Sequence, residues 1–148
     1  MKICVDTTIL IDILKDEFRS FQEKLYIALE EKVAMVSPPV VFAELLPQFD
    51  GNADLAKEFL NDHKITIEPL ETDAAAASAL AWMKYLKRKE KIKCPHCNRW
   101  LKLKLHVLSD FYIGGFASVK CDAILTRDRG IYTKYFPLLV GYKDCLRQ

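Results

Sequence analysis

The sequence predicts an α/β fold with a mainly parallel central sheet, and two features of the chain predict it. Short runs of apolar and β-branched residues alternate with longer segments whose apolar residues recur at helical spacing. The chain has 148 residues, 51% of them hydrophobic, which suits one domain with a buried core and leaves little room for a second. We therefore expect a single domain over residues 1–148.

The strands are predicted from short apolar runs. The first run is short, apolar and β-branched, and it ends at an acid, Asp6. The same criterion applied along the chain gives predicted strands at residues 2–5, 33–36, 65–67, 123–125 and 138–140.

The helices are predicted from apolar spacing and from residues that favour helix ends. Thr7 and Thr8 can cap a first helix, and Ser37 followed by two prolines is typical of the start of another, which Pro47 ends. The remaining predicted helices lie at residues 18–31, 53–61, 72–89 and 109–119.

The composition argues against a membrane protein and against a secreted disulfide-rich protein. No apolar run approaches the roughly 18 residues that cross a bilayer, and Asp6 interrupts any signal-like segment. The cysteines are odd in number and unevenly placed, which favours reduced thiols: Cys4, Cys94, Cys97, Cys121 and Cys145. We expect a cytoplasmic protein.

The net charge of +2 hides an uneven distribution. Residues 84–104 contain nine Lys or Arg residues and one acid, so this segment carries +8 and the rest of the chain carries −6. An acidic body with a basic segment suits a protein that binds cations in one place and polyanions in another.

Four acids are expected to lie together at one edge of the sheet. Asp6 follows the first strand and Asp128 follows the strand at residues 123–125, and parallel strands end at a common edge. Asp110 lies in the first turn of a helix, and Glu44 lies in the helix after the second strand. Asp12 and Asp122, which are near these acids in sequence, are expected to be structural or exposed.

Clustered carboxylates repel one another unless a cation compensates their charge. Mg²⁺ and Mn²⁺ prefer oxygen ligands and can activate water for phosphodiester hydrolysis. Thr7, Ser109 and Thr126 are next to these acids in sequence and can orient them or a water molecule, although Ser109 is equally suited to capping its own helix.

Four motifs in order resemble those of PIN-domain nucleases, and in particular VapC-type toxins of toxin–antitoxin pairs. They read CVDTTILID at residues 4–12, AEL at 43–45, SDFYI at 109–113 and LTRDRG at 125–130. The resemblance implies a three-layer α/β/α sandwich, Mg²⁺- or Mn²⁺-dependent endoribonuclease activity, a homodimer and a small antitoxin partner. It also implies that Asp6, Glu44, Asp110 and Asp128 bind the metal.

The third motif departs from the family pattern, because Gly114 and Gly115 stand where alanines are usual. Each glycine destabilises a helix by about 1 kcal/mol relative to alanine. We therefore predict that this part of the helix packs closely against neighbouring groups.

A segment at residues 91–106 interrupts the family pattern and is predicted to be an inserted basic hairpin. Its Cys-Pro-His-Cys-Asn sequence resembles a zinc knuckle, with Cys94 and Cys97 as two ligands. His106 or His96 is a candidate third ligand, and Cys121, Cys145 or a second subunit can complete the set. The alternative is a vestigial knuckle with free thiols or a local disulfide.

The basic segment also provides candidate RNA contacts, in which cations meet phosphates and an aromatic ring stacks on a base. Alternatively it is a solvated helix face or docks an acidic antitoxin segment. The candidate residues are Lys87, Arg88, Lys89, Arg99 and Trp100.

Metal-assisted hydrolysis of RNA by a toxin is the function that these features favour. A PIN nuclease that processes ribosomal or other stable RNA is one alternative. A non-catalytic RNA- or partner-binding module is another, although nothing would then compensate four mutually repelling acids.

Overall fold

The computed structural model describes residues 1–88, 91–102 and 107–143. The strands within these ranges are β1 (Lys2–Val5), β2 (Ala34–Ser37), β3 (Ile65–Ile67), β4 (Lys91–Lys93), β5 (Trp100–Lys102), β6 (Ala123–Leu125) and β7 (Val140–Gly141). The helices are α1 (Thr7–Lys15), α2 (Arg19–Glu30), α3 (Pro39–Leu45), α4 (Ala53–Asp62), α5 (Thr72–Arg88), α6 (Leu108–Lys120) and α7 (Arg129–Tyr135). A 3₁₀ helix, Leu46–Phe49, follows α3 directly.

Five strands form a parallel sheet in the order β3-β2-β1-β6-β7, flanked by helices. The central strand β1 pairs with β2 on one side and with β6 on the other. Its residues Ile3, Cys4 and Val5 are fully buried, as expected for a parallel strand covered on both faces. The predicted α/β class with a mainly parallel sheet is confirmed.

Several element boundaries differ from the prediction. The residue before α1 is Asp6, so Thr7 and Thr8 lie inside the helix rather than capping it. Ser37 belongs to β2, where its hydroxyl donates to the carbonyl of Val5 at 2.7 Å, and Pro38 precedes α3 instead. Val107, not Ser109, occupies the position before α6.

The segment after Asp128 also differs, because it forms the short helix α7, which was not predicted. The last strand, β7, begins two residues later than the prediction of 138–140. Ile131, Tyr132 and Tyr135 of α7 are buried, so α7 is held by packing of its side chains on the core.

The close packing predicted at the two glycines is confirmed. A Cβ atom on Gly115 would lie 2.6 Å from the carbonyl oxygen of Ala74 in α5, and one on Gly114 would overlap the ring of Phe136, 2.6 Å from its Cζ. Real Cβ atoms do not approach other atoms so closely. The glycines therefore let α6 approach α5 and the segment after α7.

Strands β4 and β5 pair in antiparallel register, with Lys93 opposite Trp100, as predicted for a hairpin. None of the helices within the described ranges is long and apolar enough to cross a membrane.

Candidate active site

The site is built around Asp6, the first residue after β1. Val5 pairs with Leu125 in β6, and the backbone N–H of Asp6 extends this pairing by donating to the Leu125 carbonyl at 3.0 Å. The next residue of the β6 segment, Thr126, is thereby brought beside Asp6. Its hydroxyl donates to Oδ2 of Asp6 at 2.6 Å, and the hydroxyl of Thr8 donates to the same oxygen at 3.0 Å.

Glu44 approaches the site from the side of β1 that pairs with β2, whereas Thr126 approaches from the side that pairs with β6. It lies in α3, which follows β2, and the hydroxyl of Thr7 donates to its Oε2. Thr7 follows Asp6 directly, so one short segment carries the central acid and the side chain that holds Glu44. The negative charge of Glu44 in turn raises the pKa of Asp6.

Asp128 is connected to Asp6 through Thr126. The backbone N–H of Asp128 donates to the Thr126 hydroxyl at 3.0 Å, and that hydroxyl donates onward to Asp6. The side chain of Asp128 is exposed and does not cap α7. Its carboxylate therefore remains accessible to solvent.

Asp110 lies in the first turn of α6, where Oδ2 of its half-buried carboxylate accepts the backbone N–H of Val107 at 3.1 Å. The charge of Asp110 acts on Tyr132, a buried residue of α7. Burial raises the pKa of Tyr132, and the charges of Asp6, Cys4, Asp110 and Asp128 raise it further. The charges of Asp6, Asp110 and Asp128 thus all act on Tyr132, and the charge of Glu44 acts on Asp6.

Burial dominates the electrostatics of Asp6, which is only 4% exposed. It raises the pKa of Asp6 to about 6, although hydrogen bonds from Thr126, Thr8 and the backbone of Thr7 oppose the shift. The carboxylate is therefore poorly compensated by the protein alone, despite three donors.

The chemistry of the donor set fits a hard divalent cation. Asp6 has the hydroxyls of Thr8 and Thr126 as hydrogen-bond donors and the charge of Glu44 acting on it, and oxygen ligands of this kind suit Mg²⁺ or Mn²⁺. Among the residues that the structure describes, no three His, Cys, Asp or Glu side chains form a ready-made metal cage. Ion binding at the four acids would therefore require their side chains to draw together.

The sequence did not predict the contact between Asp12 and Arg127, which lies next to the site. Asp12 in α1 is fully buried, and Arg127 donates from Nε to its Oδ2 at 3.1 Å. The backbone N–H of Arg127 also donates to the Thr8 hydroxyl at 3.2 Å. No local pattern signals a contact between residues 115 positions apart, although the structural role expected for Asp12 agrees with its burial.

The knuckle-like turn at the hairpin tip has a left-handed residue after its second cysteine but lacks a complete ligand set in the described residues. Asn98 has a φ of 58°, and its N–H donates to the Cys94 carbonyl at 2.9 Å. The N–H groups of Cys97 and His96 lower the pKa of Cys94. Cys121 instead hydrogen-bonds to Cys4, and candidates His106 and Cys145 lie outside the described residues. The zinc prediction gains no support here.

The predicted RNA-contact residues are divided between two elements. Lys87 and Arg88 are exposed in the last turn of α5, whereas Arg99 and Trp100 are exposed in the hairpin. Lys93 lies with its Nζ 5.2 Å from the centroid of the Trp100 ring. Lys89 lies outside the described residues.

Comparisons with known proteins identify the family. A family model described as "PIN domain" matches residues 3–137, which is most of the chain. The chain therefore belongs to the PIN-domain family, whose members are generally nucleases that use divalent metal ions.

Solved structures share the fold at low sequence identity. VapBC2 from Rickettsia felis, solved bound to a DNA fragment from its promoter, has a TM-score of 0.66 and 13% identity, over 95% of this chain and 96% of that one. FitAcB from Neisseria gonorrhoeae has a TM-score of 0.61 and 17% identity, over 94% and 96%. A search of curated protein sequences found no match.

Proposed function

We propose that this protein is a Mg²⁺- or Mn²⁺-dependent endoribonuclease and the toxin of a toxin–antitoxin pair. The observation that carries the proposal is the buried carboxylate of Asp6, which accepts two hydroxyl donors and feels the charge of Glu44. A buried acid with a raised pKa is poorly stabilised by its protein surroundings, and a bound cation would supply the missing compensation.

Asp6, Glu44, Asp110 and Asp128 are the residues that we propose to hold the metal ion. When bound, such an ion supplies a water molecule with lowered pKa and neutralises charge on the phosphate. The remaining chemistry belongs to the chain. Thr126 and Thr8 fix the orientation of the Asp6 carboxylate through Oδ2, and Thr7 fixes that of Glu44.

Asp128 contributes an exposed carboxylate that can meet substrate and solvent, whereas Asp6 forms the buried part of the site. Because Asp128 faces solvent and Asp6 is buried, the phosphodiester would approach the site from the side of Asp128. In-line attack of water on phosphorus would break the P–O3′ bond, with the leaving O3′ taking up a proton, and would leave 5′-phosphate and 3′-hydroxyl ends.

The toxin assignment rests on the family and on its structural neighbours. The neighbours are named VapBC2 and FitAcB, and the motifs of this chain resemble those of VapC-type toxins, so we propose that a small antitoxin binds this chain. A homodimer and a cytoplasmic location complete the proposal.

Cleavage of a mixed pool of single-stranded and structured RNA with Mn²⁺ tests the activity. The wild type is expected to cut RNA, and Asp6→Asn to lose cleavage while retaining its circular dichroism spectrum. Asp62→Asn, which changes an exposed acid at the end of α4, is the matched control and should cut like the wild type. Equal cleavage by the wild type and Asp6→Asn would refute the assignment.

A further inference from the structure

Phe18 and Arg127 form an exposed pair beside the acidic site. The guanidinium carbon of Arg127 lies 4.1 Å from the centroid of the Phe18 ring, which is cation–π geometry. Phe18 is 51% exposed, whereas Phe21, one turn further along, packs on the core. The ring is therefore covered by a cation on one side and remains accessible to solvent over half of its surface.

The position of this pair is fixed by buried contacts. Nε of Arg127 donates to Asp12, which is fully buried, and Gln22 donates to the backbone carbonyl of Asp12 at 3.2 Å. The backbone of Phe18 has a φ of 49°, a left-handed conformation that bulky residues seldom adopt. An exposed phenylalanine held in this way is a pre-organised surface rather than a mobile side chain.

A short series of contacts joins the pair to the central acid. The N–H of Arg127 donates to the Thr8 hydroxyl, and this hydroxyl donates to Oδ2 of Asp6. Arg127 also lies in sequence between Thr126 and Asp128. The aromatic surface is thus at the margin of the proposed catalytic site, unlike Trp100, which lies in the hairpin.

A nuclease with an acidic centre must hold a polyanion that its own carboxylates repel. The energy for binding must then come from groups around the centre, either cations or surfaces that stack with bases. The Phe18–Arg127 pair combines both kinds of group in one place.

We propose that the Phe18–Arg127 pair stacks an unpaired base of the RNA substrate next to the bond that is cut. The inference rests on the proposed function and adds to it a site for the base. An aromatic ring backed by a planar guanidinium presents a flat surface, and flat nucleobases stack on both kinds of group. It requires a single-stranded substrate, because a paired base does not expose its face.

Binding of a fluorescently labelled single-stranded RNA, measured by anisotropy, tests the proposal. All proteins carry Asp6→Asn, so that the RNA stays intact during the measurement. Phe18→Ala is expected to weaken binding by about fivefold or more, the effect of losing one stacked base. Phe18→Trp should bind at least as tightly as the parent, since it keeps an aromatic face.

Phe18→Leu distinguishes stacking from plain apolar contact. It keeps an apolar side chain but has no flat ring, so it should bind RNA as weakly as Phe18→Ala. Tyr26→Ala removes an exposed ring two turns along α2 and should bind like the parent. Parent-like binding by Phe18→Ala overturns the proposal. So does parent-like binding by Phe18→Leu, which would instead fit a surface for an apolar side chain of a protein partner.

A second measurement separates this inference from the proposed function. Proteins with Asp6 intact are incubated with the same RNA and Mn²⁺. Phe18-dependent binding without cleavage would support the stacking site and refute the nuclease assignment. Cleavage at equal efficiency with or without Phe18 would support the nuclease and refute the stacking site. A parent that binds no RNA would refute both.

Discussion

Arg127 donates from Nε to Oδ2 of Asp12 across 3.1 Å, and the accepting carboxylate is completely buried. The second oxygen of this carboxylate, Oδ1, has no hydrogen-bond partner among the described residues. Within the described residues, Arg127 is therefore the charged donor that compensates the buried carboxylate of Asp12. The same contact ties the loop that carries Thr126 and Asp128 to helix α1.

Replacing Arg127 with alanine should destabilise the fold by about 3 kcal/mol or more, because an uncompensated charge would stay buried. Asp12→Asn/Arg127→Ala should recover part of that loss, since no buried charge would remain. Urea unfolding of the two single variants and the double variant gives the coupling free energy. Strictly additive effects would show that the pair makes no net contribution.

Stability of the metal-free protein should fall as pH rises through about 6. Burial raises the pKa of Asp6 to about 6 in the folded state, against 3.8 when unperturbed, so the folded protein holds this proton more tightly than the unfolded chain does. The stabilisation is complete below the unfolded value and is lost as Asp6 ionises.

Asp6→Asn should remove this dependence and be more stable than the wild type at pH 7, by roughly 1–3 kcal/mol. Urea unfolding at pH 5 and pH 7 in the presence of a chelator measures both effects. The exposed Asp62→Asn is the control and should follow the wild type. A wild type that is more stable at pH 7 than Asp6→Asn would contradict the prediction.

Thr126→Val should raise the pKa of Asp6 above about 6. The Thr126 hydroxyl donates to the ionised carboxylate at 2.6 Å and so lowers this pKa, and valine lacks the donor. Carbon-13 NMR titration of the aspartate carboxyl groups in the metal-free protein follows the change. Thr126→Ser retains a hydroxyl and should leave the titration near that of the wild type. An unchanged midpoint in the valine variant would show that this hydrogen bond does not stabilise the carboxylate.

Gly115→Ala should destabilise the protein by about 1–3 kcal/mol, the usual cost of overpacking a core. The new methyl group would meet the carbonyl of Ala74 at 2.6 Å, and a backbone group cannot move aside as a flexible side chain can. Gly130→Ala is the matched control in α7. Its Cβ would lie at an ordinary contact distance of 3.8 Å from Oδ1 of Asp128, so thermal unfolding should show no loss of stability. A Gly115→Ala protein as stable as the wild type would disprove close helix packing.

The sequence predicted the parallel sheet and the neighbourhood of Asp6 and Thr126 because both depend on where apolar strands end. It missed α7, whose seven residues include Gly130 and the β-branched Ile131 and Thr133, which have low helix propensity. Packing of Ile131 on the core compensates for that propensity, and packing is not visible in a local pattern. The Asp12–Arg127 contact escaped prediction for a related reason, since ion pairs between distant residues leave no periodic signal.

The pairing of β1 with β6 has a consequence for the time at which the site forms during synthesis. Asp6 leaves the ribosome early, but the strand that brings Thr126 beside it is synthesised more than a hundred residues later. A nascent chain that ends anywhere in α5 lacks Asp110 and Asp128 altogether. The four acids are therefore present together in one chain only after nearly the whole domain has been translated.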